Sequence, residues 1–421
     1  MSGSADYTYG YPPLTALLAA PVHALLHTSA AATLVTTGAL IAGTVTLWLL
    51  LPAPWRSAAT AVCLGFGILP GYARSGYPAI VALALLIPVA VYWPTTGAGG
   101  RLGASGALRA VCLGAACAAQ QLAWFFAPFL LIGLYAVRRG ELGARPAAAV
   151  PARFAGVAAL TWAAVNAYFA AQGFSAWLHG LLLPITQKAI LHGQGLMGIS
   201  YYFTDGSSRL DYYSYASELL LVGLLAATLL FVRRLGTALT VLPWLSFYLA
   251  TRSQDGYFLM MTPLWLAAAT VPSSALTHAW QPRIPRLTGR PAKATVAMAL
   301  VTPALLCACI ASASPPPLRM ALTTHLTGRS HPAVTSVTVR AANTTGTALT
   351  PHFASRVGQG ASNWWTITSG PATLAPHSTA VYVVRPAGGH RALPGAHRRM
   401  YLIALTGTPM TISTARIEAT S

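Results

Sequence analysis

With 55% hydrophobic and 8% charged residues in 421 positions, the sequence is too apolar for a disordered chain or for an ordinary soluble protein over most of its length. The formal charge of +19, from 26 Lys and Arg against seven Asp and Glu, does not point to nucleic acid, because half of it lies between apolar runs as membrane topology requires. The cysteines at 63, 112, 117, 307 and 309 all fall inside apolar runs and form neither a disulfide framework nor a zinc-ligand pattern.

The chain opens with an apolar run of about 15 residues within 1–27, short of the roughly 20 that a span needs. It has neither the basic start nor the cleavage pattern of a signal peptide, so a surface or re-entrant helix is expected. Candidate spans follow at 31–51, 58–71, 78–93, a pair within 110–137, 154–171, 215–232, 237–249, 257–270 and 294–310. Residues 1–312 are therefore expected to form an all-α polytopic transmembrane bundle of about 10 spans.

Basic residues give the orientation, since Lys and Arg are retained on the cytoplasmic side. Arg138, Arg139, Arg145 and Arg153 are expected to share one loop, Arg233 and Arg234 another, and Arg283, Arg286, Arg290 and Lys293 a third. Placing these inside leaves only Arg74, Lys188, Arg209 and Arg252 outside in the membrane part. The alternation requires 110–137 to be a hairpin turning near Gln120 and Gln121, and it puts Met1 outside.

Between two spans lies 172–213, a stretch too polar for hydrocarbon and too apolar for a free tail. It is expected at the outer membrane surface, folded against helix ends. After Pro315, Pro316 and Pro317 the pattern changes to β-branched runs, VTSVTVRAAN, STAVYVVRP and MYLIALTG, separated by turn residues. Residues 313–421 are expected to form an extracytoplasmic β-sandwich, strongly basic and suited to an anionic surface. Its six His show no metal-ligand spacing, and no metal site is expected. Of the adjacent Trp364 and Trp365, one should be core and the other free to stack on a sugar, because neighbours in extended chain face opposite ways.

Only seven carboxylates are present: Asp6, Glu141, Asp205, Asp211, Glu218, Asp255 and Glu418. All but Glu141 map to the outer side or near it, where a carboxylate could take a proton from an acceptor hydroxyl. The same distribution also follows if acids simply avoid the basic inner loops. No phosphate-cradling glycine loop, HExxH or nucleophile elbow occurs.

Four passages carry a resemblance: YTYGYPPLTALLAAP (7–21, preceded by Asp6), QQLAWFFAPFLL (120–131), WLHGLLLP with HGQGL (177–184 and 192–196), and RSQDGYFLMMTPL (252–264). In order and spacing they resemble the GT-C superfamily, multi-pass membrane glycosyltransferases that take a sugar from a polyprenyl-phosphate donor on the outer face. The resemblance covers the membrane part. It implies a catalytic Asp or Glu in the first outer loop, just after the first span. This chain would begin inside that loop, with the first span upstream, and Asp6 is the carboxylate that remains there as candidate base. Gln120 stands where the family often has Lys.

Chemistry assigns the other roles. A departing lipid phosphate needs cationic or N–H donors, which Arg252, Lys188, His192 and Arg74 of the GYARSGY turn could supply. Arg252 could equally snorkel at an interface, and His192 and Gln194 could serve the turn around Gly193 and Gly195. Trp177, Gln194 and Tyr257 are candidates for sugar or acceptor contact, with Trp177 and Tyr257 also fitting an interfacial aromatic belt. The expected activity is sugar transfer at the plasma membrane from a polyprenyl-phosphate-linked donor to an envelope glycan or glycolipid acceptor, with no dedicated cofactor and no nucleic-acid partner. A non-catalytic relative that binds or scaffolds envelope glycans is the first alternative. A lipid or solute transporter is the second, and the internal repeat that transporters often carry is not found.

Overall fold

The computed structural model describes residues 11–186, 195–251, 256–283, 289–328, 332–394 and 399–418. They divide into two compact units. One comprises Met1–Gln187, Leu221–Leu245 and Tyr257–Leu300; the other comprises Lys188–Leu220, Ser246–Gly256 and Val301–Ser421. The Asp211–Leu235 and Arg290–Ala313 helices contribute residues to both.

Among the described residues five helices are long and apolar enough to cross a membrane: Ala31–Leu50, Leu122–Leu142, Ala144–Gln172, Asp211–Thr240 and Arg290–Ala313. Leu14–Leu26, Pro78–Ala90 and Gly103–Ala119 are shorter apolar helices. The first of these is the short amino-terminal helix expected from its apolar run. Three expected spans are not continuous. Residues 58–71 fall across Ala53–Thr60, a wide turn at Ala61–Gly65, and Ile68–Arg74. Residues 237–249 and 257–270 break into short pieces, including Leu242–Leu245, Tyr257–Met260 and Thr262–Trp265. Pro243 and Pro263 lie at these restarts, as expected of a residue that lacks the N–H to continue a helix.

The break inside 110–137 falls where expected. Gly103–Ala119 ends at Gln120, whose extended backbone (φ −158°, ψ 139°) lets Leu122–Leu142 begin afresh. The basic loop assigned to Arg138, Arg139, Arg145 and Arg153 is instead helical: Leu122–Leu142 runs through the first two, and Ala144–Gln172 holds the others. Arg138 is buried, pairs with Glu141 at 2.7 Å and donates to the Pro94 carbonyl at 2.7 Å. Helices of this unit meet through small residues. A Cβ on Gly114 would run into the Ala158 carbonyl of the Ala144–Gln172 helix, so the close approach requires glycine.

In the second unit, β10 (Met410–Ile417) and β9 (Met400–Gly407) form an antiparallel pair. They continue through β4 (His352–Val357) and β5 (Gly360–Ala361) into one sheet. The two-residue strand β1 (Gly206–Ser207) closes its other edge by pairing with β10. Gly206 has φ 131°, and a Cβ there would meet the Ile412 carbonyl. The second sheet runs β2 (Leu318–Thr327), β3 (Ala333–Asn343), β7 (Thr379–Arg385), β6 (Thr366–Ser369), with β8 (Arg391–Ala392) also on β3. Inward residues of both sheets, among them Val337, Val339, Phe353, Tyr382 and Leu402, share one buried cluster. Three of these strands are the β-branched runs seen in the sequence. The unit also includes 188–220 and 246–256, so it is larger than 313–421. Its second cluster joins Tyr201, Tyr213 and Leu249 to Ala304, Ala308, Ile403 and Ile412.

Candidate functional site

The amino-terminal helix Leu14–Leu26 lies between two cavities that share Tyr11 and Ala16. The larger, about 650 Å³, is lined by Thr15, Ala19, Ala20 and His23 of that helix, by Thr28, Ser29, Ala31 and Ala32, and by Ser75, Gly76, Tyr77 and Pro78. The smaller, about 510 Å³, is lined by Pro12 and Pro13, by Phe169, Gln172 and Gly173, and by Ala176, Trp177, Gly180 and Leu181. Stretches far apart in sequence thus meet here: 11–20 of the first passage, 75–78 after Arg74, and 177–181.

The turn is held in place by local chemistry. Thr33 Oγ1 donates to the Arg74 carbonyl at 2.9 Å, and Thr36 Oγ1 donates to the Ala73 carbonyl at 2.5 Å. The Tyr72 and Tyr77 rings meet edge to face at 5.2 Å. Arg74 itself is exposed at the end of Ile68–Arg74, directly before Ser75 of the cavity wall. His23 Nδ1 donates to the Thr28 carbonyl at 2.8 Å, which leaves Nε2 as the ring's free acceptor when neutral.

Trp177 is fixed on the other side. Its Nε1 donates to Asn166 Oδ1 at 3.2 Å, and the buried Asn166 donates from Nδ2 to the Trp162 carbonyl at 2.8 Å. The Trp162 ring lies 5.9 Å from Trp177 and 6.5 Å from Trp124, making an aromatic series across three helices. Gln121 Nε2 donates to the Leu181 carbonyl at 3.0 Å, so the 120–131 passage is tied directly to the wall of the smaller cavity. Gln120, where the resembled family often carries Lys, is buried, and its Oε1 accepts from the Gln121 backbone N–H at 2.9 Å.

Of the sequence-predicted site residues, Trp177 lines a cavity and Arg74 adjoins one. Tyr257 starts the short Tyr257–Met260 helix and belongs to neither lining. Asp6, Lys188, His192, Gln194 and Arg252 lie outside the described residues. No described residue lining either cavity is a carboxylate. Among the described residues no three His, Cys, Asp or Glu side chains gather as a metal site would require.

The strand-bearing unit holds a constellation that sequence reasoning missed. Arg356 of β4 is only 6% exposed. Its guanidinium carbon lies 4.6 Å from the Tyr401 ring centroid, 5.1 Å from Tyr202 and 5.5 Å from Tyr201. The aromatic faces substitute for a carboxylate partner. Burial pushes both phenols upward, and the arginine charge opposes that shift in part. Some 150 residues separate the YY pair from Arg356, so no local pattern could have joined them.

Comparison with family models, with curated proteins and with solved structures finds no match for the chain.

Proposed function

We propose that this chain is an integral membrane glycosyltransferase that moves a sugar from a polyprenyl-phosphate donor to an envelope glycan or lipid acceptor on the outer face. The observation that supports the reading is convergence. Residues of 7–21, of the Arg74 turn and of 177–184 line two cavities around one helix, and Gln121 ties the 120–131 passage to the same wall. The Ala-rich walls suit a polyprenyl chain, the hydroxyls of Thr15, Thr28 and Ser75 suit a sugar, and Arg74 is placed to draw in a phosphate. In this reading the shorter helices complete about ten passes, and the two sheets form an extracytoplasmic β-sandwich. Asp6 is the proposed base, with Arg252, Lys188 and His192 as further phosphate ligands and Gln194 and Tyr257 as acceptor contacts.

A second reading, a membrane-bound binder of lipid-linked glycans without catalysis, is favoured by the absence of a carboxylate among the described lining residues. One assay separates the two. Membranes containing the chain are incubated with labelled polyprenyl-phosphate sugars, and both retention of donor and transfer to acceptor are measured. The transferase reading expects transfer that Asp6→Asn abolishes and Arg74→Ala lowers on the order of a hundredfold, the effect of removing one charge-stabilising donor. Retention without transfer supports the binder. Neither retention nor transfer with any such donor overturns both.

A further inference from the structure

Away from these cavities, the helical unit contains a third, of about 290 Å³, with a different chemistry. Four of its seven lining residues are cations: Arg233, Arg234, Arg283 and Lys293. Gln281 adds an amide, and Phe231 forms an apolar edge on the Asp211–Thr240 span. No acid lines it. Among the described residues of this unit the only carboxylate is Glu141, already paired with the buried Arg138. Among the described residues of this unit these four positive charges, three of them exposed and Lys293 half-buried, gather around one small volume without a counter-ion, and their mutual repulsion, though screened by solvent, falls when an anion enters.

The walls are built rather than incidental. Arg233 Nε donates to the Ala279 carbonyl at 2.8 Å, which leaves its terminal NH₂ groups for a ligand. The Trp280 backbone N–H donates to the Ala136 carbonyl at 2.7 Å, and the Arg139 guanidinium carbon sits 3.8 Å from the Trp280 ring centroid. These contacts anchor the chain just before Gln281 to Arg283. Lys293 lies in the first turn of Arg290–Ala313, where a cation opposes the helix dipole and a bound anion relieves it.

We propose that this cavity binds a phosphate group, and that its natural source is the headgroup of an anionic lipid. Arginine forks match phosphate oxygens in pairs, and the Phe231 edge adjoins an apolar span along which an acyl chain can lie. The volume holds a headgroup, and apart from Phe231 the lining offers no aromatic surface for a nucleotide base.

The test uses the purified full chain in neutral detergent. Its unfolding midpoint is followed while phosphatidylglycerol, phosphatidylcholine or inorganic phosphate is added at constant ionic strength. Phosphatidylglycerol is expected to raise the midpoint saturably and phosphatidylcholine to leave it unchanged. In Arg234→Gln/Lys293→Gln the half-saturating concentration should rise about thirty-fold, from about 1 kcal/mol per basic residue near an anionic surface. An equal saturable response to inorganic phosphate keeps the site but transfers the ligand from lipid to free phosphate. Identical titrations of wild type and double variant overturn the proposal. Should the double variant not fold, native mass spectrometry of the wild type decides: selective retention of phosphatidylglycerol supports the site, and equal retention of both lipids overturns it.

Discussion

In the helical unit large side chains go both ways: Trp93, Phe126, Phe129 and Phe154 are fully buried and some helices meet through small residues, such as Gly114 against Ala158 and Gly43 against Ala84, while Leu25, Leu160 and Val222 point outward at 79%, 72% and 62% exposure. In the strand-bearing unit the strands keep most of their large apolar side chains inside. Phe353, Tyr382 and Leu402 are fully buried in one shared cluster, and the exposed ends of the strands carry Thr, Arg and His. The helices and the strands thus differ in what they expose rather than in what they bury. Exposed leucines on long apolar helices are consistent with a membrane protein, because a helix in lipid gains little by hiding leucine, whereas a strand region without such helices is held by burying its large side chains.

The largest effect that could break this contrast is expected at the core of the sheets. Phe353→Ala should cost about 3–5 kcal/mol, read as a lower denaturant midpoint of the strand-bearing unit. A loss below 1 kcal/mol would mean that the shared cluster is not what holds the sheets. Next comes a matched pair of surface charges. Leu160→Arg, at the middle of Ala144–Gln172, should raise the insertion free energy of that helix by about 2.5–3.5 kcal/mol. Val381→Arg, on an equally apolar but solvent-facing position at 52% exposure, should change stability by no more than about 0.5 kcal/mol. Equal responses would remove the contrast between the helices and the strands.

Gly114→Val should cost about 1–3 kcal/mol by pushing apart Gly103–Ala119 and Ala144–Gln172, seen as a lower thermal midpoint in detergent. The smallest effect is expected from Tyr201→Phe. The Tyr201 hydroxyl is buried without a hydrogen-bond partner, so its removal should leave stability within about 0.5 kcal/mol or raise it slightly. The same residue sets a pH dependence. Burial holds the Tyr201 and Tyr202 phenols, and that of Tyr382, above their ordinary value. A group whose folded pKa is raised gives stability that is complete below its unfolded pKa, about 10 for tyrosine, and lost as pH climbs from there toward the folded value. Denaturant midpoints should accordingly be flat from pH 7 to 9 and fall above pH 10, less steeply in Tyr201→Phe.

Much of the helical architecture is local and could be read before any contact was known. The runs at 31–51, 154–171, 215–232 and 294–310 each became one long helix, and the hairpin breaks at Gln120 because the chain there turns extended. Trp365 went inside at 4% exposure and Trp364 stayed out at 47%, as alternation in extended chain requires. The runs at 237–249 and 257–270 are broken where one continuous helix was expected, because a short apolar segment has the same composition in a continuous helix as in a broken one. The loop drawn around Arg138 to Arg153 failed for a related reason. Arginine marks an end of a span but does not stop a helix, and the buried Arg138 found a partner one turn away in the exposed Glu141.

The candidate site was legible only in parts. Trp177, the Arg74 turn and the 7–21 passage each stood out in the sequence, but nothing local showed that the first two share the Leu14–Leu26 helix and Tyr11 as a common neighbour. Chain length, apolar run length and the alternation of β-branched residues are properties of neighbours in sequence, and they determined that this protein has long apolar helices followed by a region of strands. Tertiary structure alone decided which distant groups meet: Gly206 beside β10, Arg356 among Tyr201, Tyr202 and Tyr401, and Arg233 and Arg234 around one cavity with Arg283 and Lys293. Those encounters depend on packing and charge between segments tens to hundreds of residues apart, which no local pattern encodes.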